Sequence, residues 1–216
     1  MEVFSIVPAR LDQLAAEYKR LWPLMPDLHV RIARLAGREA IKSCARRLGM
    51  LSRQHDRTGI VFAHELEADI FQDYLNCMYQ PRGISLARQV FNRTRALPGS
   101  DEYTLLSGMA KARLSLFWIR ELLPSGAVVA LDIIKGGHFC ILDQSLPQQD
   151  AVGILVACRI FPFREVWMHT GAGMIFGVLR DAADVQSEQQ TLVYREKRNL
   201  NEQSIHRWRE LLAEEE

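Results

Sequence analysis

The sequence predicts an α+β protein: a helical N-terminal region, a small antiparallel β-barrel or bent sheet, and a C-terminal helix. Three observations carry that expectation. Up to about residue 110 apolar residues recur every three or four positions, the period of an amphipathic helix. Near residue 113 the pattern changes to short runs rich in β-branched and aromatic residues, punctuated by Gly and Pro. After residue 180 the chain turns polar, and "NEQSIHRWRELLAEEE" places Ile205, Trp208 and Leu212 on one helical face. The expected organisation is a helical region over 1–110, a small β-barrel over 111–180 and a C-terminal helical segment over 181–216.

Taken in order, "LDQLAAEYKRLW" is an amphipathic helix stopped by Pro23 and Pro26. "DLHVRIARLAGREAIKSCARRLGML" reads as one longer helix with Asp27 placed to cap its start. "AHELEADIFQDYLNCMY" and "SLARQVFNRTRAL" follow, then "SDEYTLLSGMAKA", with Ser100 and Asp101 in capping positions. The strand candidates are "ARLSLFWIREL", "GAVVALDIIKGGHFCILD", "VGILVACRIF", "REVWMHT" and "MIFGVL". The last two are joined by "TGAG", which reads as a hairpin turn, with glycine supplying positive φ angles. A dinucleotide cradle is excluded there. Gly171, Gly173 and Gly177 miss the G-x-G-x-x-G spacing, and no helix follows to receive a phosphate.

Composition narrows the function classes. Hydrophobic residues make up 48% and charged residues 25% of 216, which is ordinary globular usage. The formal net charge is +1, so no global field draws the chain to nucleic acid or membrane. No apolar run approaches the roughly 20 residues of a membrane span, and the N-terminus lacks the basic start of a secretion signal. A cytoplasmic location is expected. Cys44, Cys77, Cys140 and Cys158 form no closely spaced pair, so a structural zinc site is not expected, and buried inert thiols are.

Charge is segregated locally. Residues 1–60 hold 11 Lys and Arg against 6 Asp and Glu, whereas residues 61–80 hold four acids and no Lys or Arg. On one continuous helix Arg31, Arg34, Arg38, Lys42 and Arg46 fall within about 120° of one another. Val30, Ala33, Ala40, Cys44, Leu48 and Leu51 take the other side. This stripe suits a phosphate backbone; ahead of that stand pairing with Glu65, Asp69 and Asp73, which recur at four-residue spacing, and plain solvation of the stripe. "HELEAD" lacks the second histidine of a zincin, since position 68 is Ala68. A metal-dependent hydrolase built on His64, Glu65, Glu67 and Asp69 stays as an alternative. Trp118, Trp167 and His169 flank or sit in predicted strands; they read as core or structural residues, and as a binding site if they reach the outer face.

Over residues 106–173 the chain resembles the C-terminal part of some uncharacterised bacterial proteins. In these an "AR-S" strand leads into a "DL/DII" strand, then an "ATR-(apolar)-(apolar)-P" strand and an aromatic-"M-(T/S)-TGA" segment. The matching pieces are Ala112-Arg113-Leu114-Ser115, Leu131-Asp132-Ile133-Ile134, "ACRIFPF" and "WMHTGAG". The resemblance implies helices followed by a small β-barrel, and it carries no activity. The chain departs from it at His169, where threonine or serine is usual. The leading expectation is therefore a non-enzymatic interaction protein with a protein partner. It has no assigned catalytic residue, metal ligand or cofactor. Nucleic-acid binding through the basic stripe is the first alternative.

Overall fold

The computed structural model describes residues 6–54, 57–80, 83–143, 146, 150–191 and 197–215. The chain divides into two compact units, residues 1–23 with 112–216, and residues 24–111. The architecture is α+β, with helices at both ends of the chain, a five-stranded mixed sheet and a small two-stranded antiparallel sheet.

The unit of residues 24–111 contains α2 (Met25–Ala33), α3 (Arg38–Arg47), the hairpin β1 (Leu51–Gln54) and β2 (Arg57–Ile60), α4 (Glu67–Cys77), α5 (Leu86–Arg93) and α6 (Asp101–Met109). Helix α4 packs on α2, α3 and α5, and α5 packs on α6. The core is Met25, Leu28, Ile32, Cys44, Leu48, Ile70, Tyr74, Leu86 and Leu105, all buried. One polar clasp crosses it: the buried Asn76 side chain donates to the His29 carbonyl at 3.1 Å. Ser85 and Ser100 cap α5 and α6, accepting from the backbone N–H groups of Arg88 and Tyr103.

Two expectations fail in this unit. The helix expected over residues 27–51 is two helices, because Gly37 sits extended (φ −76°, ψ 168°) as the residue before α3. Leu35 and Ala36 close the end of α2 with tighter bonds to Ile32 and Ala33. The apolar period survives the interruption, so it hides the turn; glycine's poor helix propensity marks it. Asp27 lies inside the first turn of α2 and does not precede it. The β1–β2 hairpin, paired from Leu51↔Ile60 to Gln54↔Arg57, was not anticipated.

The other unit begins with α1 (Leu11–Leu21), which carries buried Leu11, Leu14, Tyr18 and Leu21. Its strands are β3 (Arg113–Leu123), β4 (Ala127–Asp132), β5 (His138–Leu142), β6 (Ile154–Phe163) and β7 (Val166–Val178), followed by α7 (Ala182–Thr191) and α8 (Lys197–Glu215). Pairing runs β3-β4-β5-β7-β6, and β6 pairs back with β3. Phe117, Ile119, Val128, Ala130, Ile141, Val156, Cys158 and Ile160 fill the inner face. On the outer side α8 packs against β7 and β3, and buried Arg159 of β6 donates to Asn201 of α8 at 2.6 Å. Helix α1 holds the β6–β7 turn through Arg10–Glu165 at 2.6 Å and Arg164–Glu17 at 2.8 Å.

The sheet is not purely antiparallel as expected. Strands β5 and β7 run parallel, and only Ile141↔Trp167 and Leu142↔Met168 pair along that seam. Nor is "TGAG" a hairpin. Strand β7 continues through it, and the register passes from Ile160↔His169 to Cys158↔Gly173. Two more residues on β7 than on β6 make a bulge, and Gly171 takes φ +113° there, a region closed to most side chains. Its glycines were read correctly as a special backbone and wrongly as a chain reversal.

Candidate functional site

An exposed concentration of basic charge lies on α3 and what flanks it. Residues 24–60 hold eight Lys and Arg against three Asp and Glu. Arg31, Arg34, Arg38, Lys42 and Arg46 are all exposed. The helix break splits the expected stripe: Arg31 and Arg34 belong to the end of α2 and the connection, whereas Arg38, Lys42 and Arg46 recur every four residues along α3. Opposite them on α3, Ala40, Cys44 and Ala45 are buried, so the base row is the helix's solvent face. Val30 departs from the expected apolar side and is exposed.

The pairing expected with the acids of residues 65–73 is not what these bases do. Arg31 instead donates to Glu102 of α6 at 2.7 Å, and Lys42 stands 3.8 Å from Glu39 on its own helix. Arg34, Arg38 and Arg46 make no ion pair among the described residues. Glu102 shows the effect of its partner. The Arg31 hydrogen bond holds its carboxyl below the ordinary carboxylate value, desolvation opposes this, and a hydrogen bond from Thr94 adds to the lowering.

The acids themselves are dispersed. Glu65 lies in the turn before α4 and is exposed, as is Asp69, whereas Asp73 is buried. Glu67 is fully buried and accepts from the Ala63 backbone N–H at 2.9 Å, and His64 Nδ1 accepts from the Leu66 N–H at 3.2 Å. Both contacts fold the chain into α4. Among the described residues no group of three or more His, Cys, Asp or Glu is placed to hold a metal ion.

The inner face of the sheet carries a second polar group, which periodicity did not reveal. Arg113 of β3 donates to Asp132 of β4 at 2.7 Å, and Ser115 donates to the same carboxylate at 2.6 Å. The backbone N–H groups of Ile134 and Lys135 complete the shell, each at 3.0 Å, so Asp132 is fully buried with four donors. The Arg113 guanidinium lies 4.8 Å from the Phe139 ring centroid and 5.6 Å from those of Phe117 and Trp167. The sequence carries these residues in the "AR-S" and "DII" pieces of the resemblance, without showing that they meet.

Trp167 is thus half-buried against its own arginine. Trp118 is buried, donates to the Gly153 carbonyl at 3.1 Å and carries Arg120 over its ring at 3.8 Å. His169 sits at the bulge. Its Nε2 lies 2.9 Å from the Ala172 carbonyl and its Nδ1 3.2 Å from Asp143, which follows β5. Arg113, Trp167 and His169 are held by internal partners, so this group is tied to closing the sheet. All four cysteines are free and buried, and burial pushes the Cys140 thiol up to about 11.

A family model described as a family of unknown function (DUF7986) matches residues 12–208. No curated protein and no solved structure matches the chain. No helix among the described residues is long and apolar enough to cross a membrane.

Proposed function

The chain belongs to the DUF7986 family of unknown function, and from that premise we propose that it binds nucleic acid through α3 and the elements beside it. One observation carries the reading: Arg38, Lys42 and Arg46 form an exposed row on a helix reached from α2 through residues 34–37. A helix, a turn of about four residues containing glycine, and a second basic helix are the parts of a helix-turn-helix. The hairpin that follows carries exposed Arg53 close behind. Phosphates are the ligand such a row suits, because each neutralised phosphate releases condensed counterions.

The sequence ranks pairing with the acids of residues 65–73, or plain solvation, ahead of nucleic acid. The pairs that form lie elsewhere, at Glu102 and Glu39, which takes away the pairing half of that alternative and leaves an exposed row. A protein partner remains the second reading, favoured by the neighbouring exposed apolar residues Val61, Phe62 and Leu66. The test is fluorescence anisotropy with mixed DNA and RNA probes across a salt series. Sub-micromolar binding near physiological salt is expected, with a steep loss as salt rises. Changing Arg38 and Arg46 together to alanine is expected to flatten the slope by about two units. Binding that ignores salt or these residues removes the proposal.

A further inference from the structure

We infer that the ligand of this face is B-form double-stranded DNA, with α3 entering the major groove and Glu39 discriminating among base pairs. The inference rests on the nucleic-acid reading above and narrows it to one substrate class. Arg38 and Arg46 are eight residues apart on α3, which is about 12 Å of helix axis. The B-DNA major groove is about 12 Å wide and admits an α-helix. A-form RNA duplexes bury their major groove too deeply and narrowly for a helix to read. Single strands are held by several aromatic rings on which successive bases stack; α3 and the hairpin contain none, and beside them Phe62, two residues past β2, is a single exposed ring. Duplex DNA is the class this face favours.

Glu39 gives the face its second property. It lies in the first turn of α3 with its side chain 91% exposed, next to Arg38 and 3.8 Å from Lys42. The first turn of the second helix is where this arrangement meets base edges. A carboxylate there repels phosphates, so it weakens binding that rests on the backbone alone. It can accept from the cytosine N4 amino group, the base edge that acidic side chains usually read in the groove. The same carboxylate also favours the positive end of the helix, so the test includes a variant that keeps the shape and removes the charge.

The experiment uses the full chain and three probes of one random sequence, each about 30 nucleotides or base pairs long: duplex DNA, single-stranded DNA and duplex RNA. Expected is at least tenfold tighter binding of duplex DNA than of either other probe. Glu39→Gln is expected to raise affinity for random duplex several-fold while leaving the thermal midpoint within a few degrees. Arg38→Ala with Lys42→Ala, folded by circular dichroism, is expected to lower duplex affinity and reduce the salt slope by about two units. Equal or tighter binding of single-stranded DNA or duplex RNA, still dependent on Arg38 and Lys42, overturns the duplex inference and leaves the nucleic-acid reading standing. Unchanged affinity of Glu39→Gln overturns its discriminating role. No binding to any probe brings down both.

Discussion

Arg113 and Asp132, nineteen residues apart in the chain, meet across β3 and β4 at 2.7 Å inside a ring of three aromatic side chains. The acid has no exposure, and its four donors come from β3, through Arg113 and Ser115, and from the turn that follows β4. Removing it leaves the partly buried Arg113 guanidinium without its counter-charge and the β4–β5 turn without its anchor. Asp132→Ala is expected to lose about 3–5 kcal/mol, the usual cost of breaking a buried pair from one side. Asp132→Asn, which keeps the acceptor, is expected to lose less. Urea unfolding followed by tryptophan fluorescence measures both, and equal losses would show that the retained acceptor contributes nothing beside the lost charge.

The Arg31–Glu102 pair answers to pH. The folded state lowers the Glu102 carboxyl below its ordinary value, chiefly through the Arg31 hydrogen bond. A carboxylate lowered on folding stabilises above its unfolded value and loses that contribution as pH falls through its folded value. Both side chains are more than a third exposed, so the stabilisation is at most about 1 kcal/mol. Glu102→Gln is expected to melt slightly below the parent at neutral pH and to converge with it in acid. A gap that widens in acid would reverse the sign argued here.

Coupling across the seam is measurable at His169 and Asp143. Strands β5 and β7 share two paired residues, and this side-chain contact at 3.2 Å lies one step further along. A double-mutant cycle of His169→Ala and Asp143→Ala is expected to show an interaction of about 0.5–3 kcal/mol. Additive losses would show that the contact does not help to hold the seam.

Cys140 is expected to resist thiol reagents. Burial raises its thiol to about 11, so the reactive thiolate is scarce at pH 8. Labelling of the native protein with a disulfide reagent, read by mass after digestion, is expected to spare Cys140 until denaturant is added. Rapid native labelling there would contradict the burial of the strand.

Elements set by their own residues were legible in the sequence, and those set by a neighbour were not. The change of period at Arg113 marks the sheet because β3 carries a continuous buried run, Ser115 to Ile119, rich in strand-forming residues and without helical spacing. Ile205 and Trp208 were read as a docking face, and both are buried. The break before α3 was hidden because Ile32, Ala40, Cys44 and Leu48 keep a helical rhythm across it, and only Gly37 objects. The bulge at Gly171 was taken for a reversal because its local chemistry is the same; the register of β6 decides between them. Of the candidate site, the bases on α3 were named from the sequence, but their freedom from α4 depends on where Glu102 and Glu39 fall. The Arg113–Ser115–Asp132 group needed knowledge of which strands pair, and no spacing supplies that.

Helix α1 leaves the ribosome long before the residues that pair with it. Arg10 waits for Glu165, 155 positions on, and Glu17 waits for Arg164, 147 positions on. Between them the ribosome delivers the whole unit of residues 24–111, which has its own core and can fold as soon as it emerges. At about 5–20 residues per second, α1 spends roughly 7–30 s without its partners. Its face of Leu11, Leu14, Tyr18 and Leu21, buried in the folded chain, lacks the β6–β7 turn throughout that interval. Slowing translation between residues 24 and 160 lengthens it.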